Sequence, residues 1–174
     1  MAMIDALLTE LDQESLITRR VLERVPQAHL SWKPHPKSMS LGQLALHVAT
    51  VPGNVAELAS MDTIPEPPAF IQPEAASAAE LVPALTASVA KARQHLGGFD
   101  DAAMSAMWRL MSGGREIMAM PRVAFARAIM LNHWYHHRGQ LLVYLRLLDV
   151  PVPSVYGPTA DENPFAVEPA GRAR

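Results

Sequence analysis

Proline placement constrains this chain more than any other feature of its sequence. Of 15 prolines, Pro65, Pro67, Pro68 and Pro73 form one cluster, and Pro151, Pro153, Pro158, Pro164 and Pro169 form another. Proline lacks a backbone N–H and its ring crowds the preceding turn, so both stretches interrupt regular structure. Between them, apolar residues recur at helical rather than alternating spacing. The first helix is expected from about Ile4 to Glu23, with Ile4, Leu7, Leu8, Leu11, Val21 and Leu22 on one side and Pro26 beyond its end. The connection LSWKPHPKSMS cannot be helical. Ser40 then reads as the N-cap of a second helix over Leu41–Ser60, kinked at Pro52, with Leu44, His47, Val51, Val55 and Leu58 inward.

A third helix is expected from near Ala78 to Leu96, stopped by Gly97-Gly98, with Leu81, Leu85, Val89, Ala92 and Leu96 inward. The stretch Met104–Met120 has Gly113-Gly114 at its centre and fits a short hairpin or an extended crossover; its methionines read as flexible filler. A last helix runs from Pro121 to about Leu148. Four long helices joined through one irregular crossover predict an all-α four-helix bundle. At 174 residues, with 49% hydrophobic and 18% charged residues, the chain can bury one core, taken as a single domain over 1–160 with a C-terminal tail at 161–174.

The composition also removes whole classes of chemistry. There is no cysteine, so disulfides, zinc–thiolate sites and cysteine nucleophiles are out. The net charge of -2 offers no field for phosphate, which argues against a nucleic-acid partner. No run approaches the ~20 apolar residues a membrane span needs. The N-terminus carries acidic residues where an export signal would be basic, so the expected location is cytoplasmic. No glycine-rich phosphate loop or nucleophile elbow is present.

Histidine supplies what remains. His133 and His137 stand one helical turn apart on a stripe with Val123, Ala126, Met130, Tyr144 and Leu148, which points both into the bundle. His47 lies on the apolar stripe of the second helix. Inward imidazoles are costly unless their nitrogens are satisfied, and one divalent cation would satisfy all three while keeping a position open for water or substrate. The competing reading is three hydrogen-bonded core histidines.

The neighbouring residues are assigned plainer roles. His136 reads as a rim or interface residue, and His29, His35 and His95 as solvated. Trp134, Tyr135 and Tyr144 read as packing. Arg138 is expected in a surface ion pair rather than on a substrate anion. Glu14 is either a solvated carboxylate or one that orients a ligand histidine.

The segment Asn132-His133-Trp134-Tyr135-His136-His137-Arg138-Gly139-Gln140 with the following LLVYLRLLDVPVPSVYGPTADE, and the upstream WKPHPKSMSLGQLALHVATVPGN, closely resemble the two histidine-bearing signatures of the DinB family. This is the DinB/YfiT-like superfamily of metal-binding four-helix bundles. The resemblance extends from about Leu7 to Glu162 and is loose through the third helix and the crossover. It implies His47, His133 and His137 as ligands of a divalent metal ion, zinc or nickel. It further implies a metal-dependent thiol S-transferase using a low-molecular-weight thiol such as mycothiol, bacillithiol or glutathione, with an electrophile as second substrate, and a homodimer. The alternatives are a non-catalytic metal-binding stress-response protein and a metal-dependent hydrolase.

Overall fold

The computed structural model describes residues 2–69 and 71–166. Helix α1 spans Met3–Leu22, α2 Leu41–Ser60 and α3 Leu81–Leu96, with a single 3-10 turn at Ala78–Glu80 leading into α3. A short α4 (Asp101–Ser105) follows. The final helix starts as α5 (Arg122–Phe125), widens into a π-helical segment at Ala126–Asn132, and continues as α6 (His133–Leu147).

The first three long helices match the expected periodicity and the last does so up to its π segment, but the fold is not purely α. A three-stranded sheet occupies the crossover, with β1 (Thr63–Ile64) parallel to β2 (Met107–Ser112) and β2 antiparallel to β3 (Arg115–Pro121). The hairpin exists because Gly113 and Gly114 take φ of 55° and 75°, the left-handed pair that a two-residue turn matching strand twist requires. Residues Trp108 and Leu110 face inward from β2, while β3 is an exposed edge. The correction to an all-α bundle is therefore local: a hairpin sits in place of an irregular crossover.

Helix α2 is the central element, packing along α3 and against the last helix. Ser40 caps it as expected, accepting from the Gln43 N–H while the Gln43 side chain accepts from the Ser40 N–H. Its close approach to α3 depends on Gly53, where a Cβ would lie 2.7 Å from the Ser88 carbonyl oxygen. The Ser88 hydroxyl accepts the Gly53 N–H at 2.8 Å and donates to the Thr50 carbonyl at 3.1 Å. At the other end, two carbonyls of the last turn of α2 accept from side chains, and the Leu58 oxygen accepts from the Met61 N–H as well. Trp108 Nε1–H donates to the Leu58 oxygen (3.0 Å), and buried Arg122 donates to the Ala59 oxygen (2.7 Å). Arg122 also bonds the Ala103 carbonyl and Asp62 (2.5 Å), pinning the start of the last helix to α2 and α4.

Leu11, Leu44, Leu81 and Leu141 are fully buried at the junction of the four helices. Burying a leucine side chain contributes about 1.5–3 kcal/mol. Among the described residues, no helix is long and apolar enough to cross a membrane.

Candidate metal centre

Proline 52 shapes the site from within α2. Without an N–H it leaves the Val48 carbonyl, four residues earlier, free of its helical partner. The buried indole of Trp134 fills that vacancy, donating to the Val48 oxygen at 2.7 Å. The bond ties α2 to α6 one residue beyond His47 on one helix and one beyond His133 on the other. Trp134 is thus more than packing. It sets the register of the two helices that carry the histidines.

The π segment sets their rotation. Drawn as an unbroken α-helix, buried Arg122, Phe125 and Ala126 would lie on average about 130° around the axis from buried Trp134, Arg138, Leu141 and Leu145. One extra residue in the π turn absorbs that mismatch. The expected stripe is correct before the turn, where Ala126 and Met130 are fully buried. After it, the core-facing positions are Trp134, Arg138, Leu141 and Leu145, and His133 and His137 rotate to a half-buried flank.

The turn also orients His133. Its backbone N–H bonds the Ala128 carbonyl, five residues back, so the Ile129 oxygen is released from its usual α-helical donor. That oxygen accepts the His133 Nδ1–H at 3.2 Å. Similarly, His137 Nδ1–H donates to Gln140 Oε1 at 2.8 Å. A carbonyl oxygen can only accept, so each ring carries its proton on Nδ1 and presents the Nε2 lone pair to the other side.

There the rings meet. His47 Nε2 and His133 Nε2 lie 3.5 Å apart, and ring centroids are 4.5 Å apart for His47–His137 and for His133–His137. One nitrogen from each histidine lies within 4.8 Å of the others. Metal–nitrogen bonds of 2.0–2.1 Å at tetrahedral angles separate ligand nitrogens by about 3.4 Å. The donor set fits a divalent cation without rearrangement of the helices. Burial, reinforced by His137 and His133, holds the His47 imidazole down to about 4. Burial also lowers His133 and His137, partly opposed by their bonds to Ile129 and Gln140. All three are neutral near pH 7, the form that binds metal.

Beside His137 and Gln140 opens a cleft of about 410 Å³, lined also by Lys37, Ser38, Met39, Gln43, Gln72 and Tyr144.

The chain matches the family model of the DinB superfamily over residues 10–141. It belongs to the DinB superfamily. Two solved structures share the fold of this DinB-superfamily chain. A DinB-like protein from Bacillus cereus ATCC 10987 is 24% identical, with a TM-score of 0.64, covering 87% of this chain and 97% of its own. A DinB-like protein from Bacillus subtilis is 17% identical, with a TM-score of 0.61, covering 83% of this chain and 92% of its own. No curated protein matches the chain.

Other sequence expectations resolve differently. His136 is exposed beside His137, with ring centroids 5.0 Å apart, and His29 and His35 are exposed, whereas His95 is half-buried. Arg138 is not at the surface: it is 1% exposed and paired with Glu14 at 2.6 Å. It also donates to Thr18 Oγ1 (3.0 Å) and to the Tyr156 hydroxyl (2.5 Å). Glu14 accepts from Tyr156 at 2.9 Å, so its hydrogen bonds go to this cluster rather than to a histidine. The partners of His133 and His137 were not read from sequence. Gln140 could have been, because it stands three residues after His137 on the same face. A backbone carbonyl such as that of Ile129 carries no sequence signal.

Proposed function

We propose that His47, His133 and His137 hold a divalent cation, zinc or nickel, and that the protein is a thiol S-transferase using a low-molecular-weight thiol. The observation carrying this reading is the convergence of three imidazole nitrogens beside an open polar cleft, with no fourth protein ligand in the histidine group among the described residues. A structural zinc site closes its shell with four protein ligands, whereas three leave a position for substrate. When bound, the cation would supply a positive charge that lowers the pKa of a thiol towards neutrality.

The chain's own residues fit a hydrophilic, partly anionic thiol. Lys37 gives the cleft wall a positive charge, and Gln43 and Ser38 add polar groups. Gln72 Oε1, at the same cleft, is a buried oxygen without a hydrogen-bond partner among the described residues, and a ligand N–H or O–H would satisfy it. Gln140 holds His137 in the tautomer that faces inward.

The test is elemental analysis of untagged protein and its His47→Ala variant, followed by a thiol panel with an electrophile such as a chloronitrobenzene. Stoichiometric metal lost in the variant, with thiol consumption that needs the metal, is the expected result. Full metal retention by His47→Ala overturns the ligand set. Loaded protein that consumes no thiol overturns the transferase reading and leaves a metal-binding protein.

A further inference from the structure

We propose that a second, apolar cavity between the small sheet and the π turn binds an uncharged molecule, or the apolar end of a larger one, about the size of a benzene ring. The cavity holds about 160 Å³ and is walled by Leu58 of α2, Trp108 and Leu110 of β2, Met118 of β3, Phe125 of α5 and Ile129 of the π segment. Its surface offers no polar group. The cavity is partly open to solvent, so water inside finds partners only on the open side, and an apolar space of about 150 Å³ is enough to hold benzene.

The cavity opens to solvent beside the exposed edge strand β3. It is kept open by fixed walls. Trp108 cannot swing in, because its indole donates to the Leu58 carbonyl at 3.0 Å and stacks on Phe125 with centroids 3.9 Å apart. Leu110 and Met118 are direct partners in the β2–β3 ladder, so backbone hydrogen bonding holds the sheet wall at a set distance. The polar cleft beside His137 and this cavity therefore select opposite chemistries. They also share a connection to the histidines, since Ile129 walls the cavity with its side chain and holds His133 with its carbonyl.

Toluene is the probe. The full chain as purified is titrated with toluene while tryptophan emission and the thermal midpoint are followed, with benzoate as the charged control. A saturable emission change and a rising midpoint are expected with toluene, and neither with benzoate. Met118→Phe fills the space from an exposed edge strand and should lose the response with the fold intact; Leu110→Phe does so from the facing strand. The His47→Ala protein should respond like the parent, so failure of the metal reading leaves this result standing. Absence of saturation in the parent chain, or an unchanged response in both phenylalanine variants, overturns the proposal.

Discussion

His137 and Arg138 are neighbours in sequence, yet they serve two polar clusters that differ in completeness. The Arg138 guanidinium is enclosed by Glu14, Thr18 and Tyr156, with the Tyr135 and Tyr156 rings each 5.2 Å from its carbon. Its charge is neutralised and its donors are used within the chain. Of the histidines, His133 and His137 are held on their outer side by Ile129 and Gln140, and among the described residues the His47 ring has only His133 Nε2 within hydrogen-bonding reach, at 3.5 Å. Inside, the ring nitrogens converge on one another. A cluster that finishes its own hydrogen bonding holds helices together; one whose ring nitrogens converge could hold a cation.

The sharpest way to break this contrast is to cut the closed cluster. Arg138→Met strands the buried Glu14 carboxylate and should cost about 3–5 kcal/mol, because losing one partner leaves an uncompensated charge. The double variant Arg138→Met/Glu14→Leu should recover most of that loss. In the same denaturant series, His47→Ala without added metal should cost no more than about 1 kcal/mol, since it removes only a half-buried ring. Equal losses at Arg138 and His47 would erase the distinction.

A gentler change addresses the open cluster. Gln140→Ala frees the His137 ring to rotate, and should weaken zinc binding by about 10–100-fold while leaving metal-free stability unchanged. Competition against a chromophoric chelator reads the affinity. An unchanged affinity would show that Gln140 does not set the ring.

A third contrast is the pH dependence of folding. An unfolded histidine titrates near pH 6.5, whereas folded His47 is held down to about 4 and its two companions are also lowered. Between those values the unfolded chain binds protons that the native chain does not. Stability should therefore fall as pH drops from about 6.5 towards 4, with no contribution from these groups above 6.5. Zinc should oppose the loss until protons displace it. Replacing His47 with Gln should flatten the metal-free profile. A denaturation midpoint with the same slope in both proteins would remove His47 as the source.

Where local chemistry determines structure, the sequence was readable. Ser40 and Gln43 set the start of α2, whose observed span Leu41–Ser60 is the expected one. The apolar residues assigned to α1 are all buried. His47, His133 and His137, picked from helical stripes, do come together. The failures share a different cause. Nothing in Ala126–Asn132 marks a π turn, so periodicity alone continues the last helix in regular phase and sets its histidines deeper than the structure does. The Arg138–Glu14 pair joins residues 124 positions apart, and only packing of α6 on α1 makes it. The sequence fits a hairpin and an extended crossover equally because β2 and β3 lack clean alternation, with most of both strands exposed or half-buried.

The π turn stores information in the number of residues rather than in their identity. Deleting one residue between Ala126 and Asn132 would let the helix close into a regular α form and swing everything beyond it by about 100°. The two histidines would rotate towards the leucines at the centre of the bundle, and Arg138 would leave Glu14. Every side chain would still be present in its familiar order, so a comparison that scores substitutions alone would see an intact motif. Spacing from Arg122 to His133 is thus as much a part of the site as the imidazoles, and alignment gaps in this stretch are where relatives should be expected to part in function.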